Sequence, residues 1–160
     1  MAISIFARIG TIKGESSDAR HKDEIDVSSW SWGLSGSGTA SHAGGAGAGK
    51  ATFDELRFVH AIDRASPLLM SACATGEHVK DAKITLRRAG EGQHDFLVIT
   101  LNDVVVTSVS TSVSAEGDAM VESVGLSFAK VDLGYTPQKP DGTLDAGVHF
   151  IFDLQANKVG

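Results

Sequence analysis

Val121-Glu122-Ser123-Val124-Gly125-Leu126-Ser127-Phe128 alternates with period two: Val124, Leu126 and Phe128 fall on one side of an extended chain, while Ser123, Gly125 and Ser127 fall on the other. One face is apolar enough to cover a core, and the other is small and polar. The same period recurs on both sides of this stretch. Ile3, Ile5, Ala7 and Ile9 share a face; so do Ala82, Ile84 and Leu86 against Lys83, Thr85 and Arg87, and Val148, Phe150, Phe152 and Leu154 near the end. Phe96-Leu97-Val98-Ile99-Thr100-Leu101 is apolar on both faces, as a strand is when it packs on the core one way and on a second partner the other way. Val104 to Val113 and Val121 to Leu133 read as further strands.

Only one segment reads as helix. Ser66 is expected to cap it, Pro67 suits the first turn, Leu68 to Thr75 is helix-forming, and Gly76 can stop it. Roughly eight strands and one helix point to a mainly β fold. The expected architecture is a single β-barrel domain over residues 1–160, with the short helix packed outside and a long Gly-rich extended loop. At 160 residues and 42% apolar content the chain can bury a real core in one domain.

Charge and composition exclude several function classes. A formal net charge of -6 is the wrong sign for phosphate backbones and for anionic lipid, so neither a nucleic-acid partner nor membrane insertion is expected. No apolar run approaches the roughly 20 residues of a membrane helix, and Met1 to Ile5 lacks the charged start and apolar stretch of a secretory signal. The single cysteine, Cys73, cannot form an internal disulfide and reads as an inert packed thiol.

Candidate chemistry fares no better. Gly44, Gly49 and Lys50 have the G-x-x-x-x-G-K spacing of a phosphate-binding loop, but Ala51 stands where Ser or Thr would hold magnesium. The flanks, Trp30 to Gly33 and Leu56, Phe58 and Ile62, have the period of strands rather than a following helix. The six histidines, His21, His42, His60, His78, His94 and His149, show no metal-ligand spacing, and His60 reads as a hydrogen-bonded packing residue. Gly33 to Ser37 lacks the last glycine of a nucleophile elbow. Asp23-Glu24 and Asp54-Glu55 point to opposite faces and read as solvated charges, and Asp141-Gly142 is turn chemistry. The expectation is no catalytic residue, no cofactor and no metal, hence no enzyme.

A set of separate blocks, in one order, then carries a resemblance. They are Lys13-Gly14-Glu15-Ser16, Glu24-Ile25-Asp26-Val27, Trp30-Ser31-Trp32-Gly33, Gly49-Lys50, Ile62-Asp63 and Ser66-Pro67-Leu68-Leu69-Met70. Ala72-Cys73, Gly76, Ser108-Val109-Ser110, Leu126-Ser127-Phe128-Ala129 and Tyr135-Thr136-Pro137-Gln138-Lys139 continue it, and residues from Gly147 to Gly160 match least distinctively. In these blocks the chain resembles the haemolysin-coregulated protein family, the tube subunit of bacterial type VI secretion systems. The resemblance implies a homo-oligomer: a hexameric ring, stacked into a hollow tube inside contractile sheath proteins. A spike protein sits at the tip and effector proteins travel in the lumen. It also implies residence in the cytoplasm of a Gram-negative bacterium, followed by secretion without a signal peptide.

Under that resemblance, Leu97 and Ile99 are expected at subunit junctions, Trp30 and Trp32 either at a junction or packed in the core, and Ser29, Ser31, Ser108, Ser110, Ser123 and Ser127 on the lumen wall. The loop residues Gly44, Gly45, Gly47, Gly49 and Lys50 are expected to contact a neighbouring subunit or ring. Two other readings stay open: a monomeric barrel that binds a small apolar ligand in its cavity, and a nucleotide-binding enzyme built on Gly44 to Lys50.

Overall fold

The computed structural model describes residues 2–36, 51–89, 92–117 and 120–160. Its strands are β1 (Ile3–Ile9), β2 (Ile25–Ser31), β3 (Leu34–Ser35), β4 (Thr52–Phe53), β5 (Leu56–Ala61), β6 (His78–Arg88), β7 (Asp95–Val113), β8 (Met120–Tyr135), β9 (Val148–Asp153) and β10 (Lys158–Val159), with one helix, α1 (Ser66–Thr75). All strand pairs are antiparallel. The order β8-β5-β2-β1-β6-β7, with β7 pairing back onto β8, closes a six-stranded barrel. Strand β8 is long enough to serve two neighbours on one side: Val121 to Leu126 pair with β5, and Lys130 to Tyr135 pair with β9, which carries β10.

The alternating residues meet as their period dictates. Ala7, Ile9, Ile25, Leu56, Phe58, Ala82, Ile84, Ile99, Leu101, Val104, Leu126 and Val131 are sealed from solvent in one cluster. Among the described residues these side chains fill the interior, as in small barrels generally. Phe6 is buried although it faces away from Ile5 and Ala7. His21 stacks on its ring at 4.2 Å between centroids, and the Arg87 guanidinium lies 4.9 Å above it. The segment between β1 and β2 therefore folds back over the outside of the barrel. Asp18 takes both Arg87 nitrogens in a bidentate pair, and Glu24, which the sequence reading placed in solvent, has its Oε2 3.0 Å from His21 Nδ1.

The inward face changes phase along one line across three strands. Inward residues run Val79 then Ala82 in β6, Leu101 then Val104 in β7, and Phe128 then Val131 in β8, and these partners are paired in register. Asp103, at φ +53°, marks the bend in β7.

Helix α1 packs on β7 through Ser66, Leu69 and Ala72, at the three-residue spacing of one helical face. Its start differs from the sequence expectation. Ser66 is its first residue rather than its cap: Ala65 holds the cap position, and in the turn before it the Asp63 carboxylate accepts the Ala65 N–H at 2.8 Å while the Ser66 hydroxyl accepts the Asp63 N–H at 3.1 Å. Gly76 ends the helix in the left-handed region at φ +67°, and Glu77 N–H reaches Ala72 O at 3.2 Å.

Candidate functional site

Four strands of the barrel, β2, β5, β8 and β7, lie side by side and present a small polar face outward. One row runs Ser29, Val59, Ser123, Ser110, and the next runs Ser31, Arg57, Gly125, Ser108, each residue paired with its neighbour across the sheet. Ser127, paired with Val105, continues the face. Ser29, Ser31 and Ser110 are exposed, while Ser108, Ser123 and Ser127 are half-buried. All six serines singled out from the sequence are thus brought together, although up to 98 residues separate them in the chain.

Simple alternation would not have done this. Ile25 and Val27 point inward, so an unbroken strand would aim Ser29 and Ser31 at the core; a bulge between Val27 and Ser29 flips the phase and turns Trp30 inward instead. A second bulge, between Val106 and Ser108, does the same for Ser108 and Ser110. In β8 no such break separates Glu122 from Phe128, and alternation holds.

The sequence reading missed Arg57 and Gly125 in the middle of this face. Arg57 donates to Glu55 Oε2 at 3.2 Å and to Ser108 Oγ at 3.4 Å, so its charge is matched beside the serines. A Cβ on Gly125 would stand 2.6 Å from Ser108 Oγ and 2.9 Å from Glu55 Oε2; glycine makes the floor flat there. The signal was present, since Arg57 alternates with buried Leu56 and Phe58 and had to point out.

The sheet ends in two different edges. Strand β1 pairs with β2 only as far as Val27, and β6 pairs with β7 only as far as Val105. Among the described residues no strand lies beside the outer edge of β2 from Ser28 onward, nor beside β7 from Val106 to Val113. The serine face is bounded by both.

The four junction residues expected from the sequence all touch the protomer's own core, and Trp30 also stands on the open stretch of β2. Ile99 is fully buried in the protomer's own core and presents nothing to a neighbour, because positions 97, 99 and 101 are the inward side of β7. Leu97, Trp30 and Trp32 are half-buried against the same core. Trp32 packs edge-on to Phe128 and near Phe53, and its indole N–H donates to Asp54 O at 3.0 Å. The outward side of the two-faced strand is Phe96 and Val98, with the Arg88 guanidinium 4.6 Å over the Phe96 ring. Gly44, Gly45, Gly47, Gly49 and Lys50 lie outside the described residues. The loop that contains them departs from β3 and returns into β4, an antiparallel pair, so the flanks are not the strand and helix of a phosphate-binding loop. Among the described residues no three His, Cys, Asp or Glu side chains gather as a metal site, and no helix is long and apolar enough to cross a membrane.

A filled six-stranded barrel with a polar outer face, open at both edges, defines a small antiparallel β-barrel rather than a nucleotide-binding α/β domain. Comparison with known proteins is specific about which. The family described as "Type VI secretion system effector, Hcp" matches residues 6–135, and the chain belongs to it. The chain is similar to "Protein hcp1" of Pseudomonas aeruginosa, at 49% identity over 159 residues, 98% of each chain. Among solved structures it is similar to Hcp1 from Salmonella typhimurium, at 37% identity and a TM-score of 0.80 over 100% of both chains. It is also similar to a structure described as a type six secretion system protein, at 25% identity and a TM-score of 0.91 over 99% of this chain and 100% of that one.

Proposed function

We propose that this chain is the tube subunit of a type VI secretion system: six copies close side by side into a ring, and rings stack into a hollow tube that sheath contraction expels behind a spike protein. The serine face forms the inner wall, along which effector proteins ride. The observation that carries this reading is the four-stranded face that ends in two unlike edges. A closed ring of identical subunits needs two different surfaces on each copy, because the contact is heterologous. The outer edges of β2 and β7 supply such a pair on opposite sides of one sheet. A wall of Ser29, Ser31, Ser108, Ser110, Ser123 and Ser127, with Arg57 neutralised by Glu55, lets a passenger touch without a large apolar patch to hold it. Contact with the next ring is assigned to the loop carrying Gly44 to Lys50.

Electron microscopy and native mass spectrometry of the purified chain test the ring, with annular particles of six protomers expected and a persistent monomer at high concentration refuting it. Bulky replacements at Ser31, Ser110 and Ser123 are expected to leave rings intact and to release a co-produced effector. Deleting residues 43–48 is expected to leave single rings that no longer stack.

A further inference from the structure

Residues 37–50 leave and re-enter the described structure through the two-stranded pair β3 and β4, which among the described residues shares no ladder with the barrel sheet. Its rungs there are Leu34 with Phe53 and Ser35 with Thr52. An isolated pair of strands this short does not stand on its own in water, so something outside the pair must hold it. Two hydrogen bonds secure its inner end: Asp54 N–H donates to Gly33 O at 2.9 Å, and the Trp32 indole N–H donates to Asp54 O at 3.0 Å. Further out, Leu34, Ser35 and Thr52 are exposed, and of the four residues in the pair Phe53 alone is half-buried.

Phe53 lies in a socket of rings from two other parts of the chain. Its centroid is 4.8 Å from that of Phe152, 6.5 Å from Phe150 and 6.2 Å from Trp32. All three separations fall in the range of about 4.5–7 Å over which aromatic pairs attract. The socket is anchored in turn. Phe150 and Phe152 stack on each other at 6.1 Å, Trp32 meets Phe128 edge-on at 6.0 Å, and these four rings belong to the barrel core or pack against it. Phe53 thus rests on rings that rest on the core.

Phe150 and Phe152 come from β9, which has no part in closing the barrel. Strand β9 pairs with β8 from Lys130 to Tyr135, beyond the stretch that β8 shares with β5, and its other side carries β10. A spacing of two puts both rings on one face of the strand. Leu154 N–H donates to Ala129 O at 2.8 Å and pins the end of β9 to β8. Were these rings only an outlying patch of core, Trp32, Phe150 and Phe152 would complete it without Phe53. The added ring has one effect, which is to join β4 to β9.

We infer that β9 is a clamp: Phe150 and Phe152 hold Phe53, and through it the β3–β4 root, so that the C-terminal strands control the contact between one ring and the next. The assignment of the loop to that contact belongs to the proposed function, and this consequence rests on it. The clamp itself does not. Removing the Phe53 ring takes nothing from the core cluster, so the barrel and the open edges of β2 and β7 stay as they are while the root loses its one half-buried anchor.

Hydrogen exchange and electron microscopy of the full chain test the inference, with Phe53→Ala, Phe152→Ala and the double variant beside the wild type. Exchange is read on unstacked protein isolated by gel filtration. The Asp54 amide is expected to exchange about tenfold faster in each single variant and no faster again in the double variant, because both substitutions break one contact. Amides of β1 and β6 are expected to keep the wild-type rate in Phe53→Ala. An unchanged rate at Asp54, or effects of the two substitutions that multiply, overturns the clamp. In micrographs the single variants are expected to give rings that no longer stack. If Phe53→Ala stacks like the wild type while deletion of residues 43–48 abolishes stacking, the inference alone is overturned. If the deletion also leaves stacks, the loop is not the contact, and the assignment of the loop falls together with the control ascribed to β9. Should Phe152→Ala fail to fold, Phe53→Ala decides by the same two readouts, since its ring lies outside the core.

Discussion

Replacing Gly14 with alanine probes how the segment between β1 and β2 is held over the barrel. A Cβ at this position would fall 2.6 Å from Glu24 O, 2.8 Å from Ile25 Cα and 2.9 Å from the Glu24 carbonyl carbon. All three are backbone atoms at the start of β2, and non-bonded carbon packs at about 3.5–4.0 Å. The gap would have to open by nearly an ångström. It is held shut by three backbone hydrogen bonds: Gly14 N–H to Asp23 O at 2.7 Å, Ser16 N–H to Glu24 O at 2.9 Å, and Asp23 N–H to Ser16 O at 2.9 Å. Forcing one methyl into a tight site costs about 1–3 kcal/mol, and each weakened backbone hydrogen bond adds about 1 kcal/mol. The expected loss is about 3 kcal/mol, or about 10 °C in Tm for a chain of this size. Urea unfolding and calorimetry read both quantities. Gly76→Ala is the companion, since Gly76 has φ +67° but nothing within 4 Å of its Cβ position among the described residues. Its cost should be only the left-handed backbone penalty of about 1 kcal/mol. If Gly14→Ala proved no more destabilising than Gly76→Ala, the close-approach reasoning would be wrong.

Two further outcomes are expected. Phe58→Ala removes the largest fully buried side chain of β5, and a loss of about 3–5 kcal/mol in urea unfolding is expected, with a loss under 1 kcal/mol showing that the barrel interior is not packed as described. The hydrogen bonds from Arg87 hold the Asp18 carboxyl far below the usual carboxylate range, so the stability that this pair supplies is present above about pH 4 and disappears only as pH falls toward the depressed value. The difference in stability between the wild type and Asp18→Asn should therefore be constant from pH 7 to pH 5 and close in strong acid; a difference that disappears by pH 5 would contradict the pairing.

Much of the fold was legible because period-two alternation is a local property, readable wherever a strand has one wet side. The helix was legible from its composition, but its cap was not. Ser66 is a good capping residue by type, and only the turn geometry after β5 decides that it becomes the first helical residue, with its hydroxyl turned back to the Asp63 N–H. The serine face was half legible. Ser123 and Ser127 follow from the alternation of β8, whereas Ser29, Ser31, Ser108 and Ser110 reach the same face through bulges that no residue in β2 or β7 announces. Ile99 was misplaced for a related reason. An apolar run on both faces shows that two partners exist without saying which side meets which, and the closed barrel takes the odd-numbered positions for itself.

The sequence alone determined that the chain is mainly β, because the hydrophobic period is written along it, and the ordered motif blocks carried its resemblance to the Hcp family. Tertiary structure alone decided what stands next to what: the phase shifts that collect six serines on one wall, the fold-back that buries Phe6 under His21 and Arg87, and the meeting of His60 with Glu122 across 62 residues. Such contacts depend on where a barrel closes and where its strands bulge. Those choices are made by the whole sheet's packing, and no local window of sequence contains them.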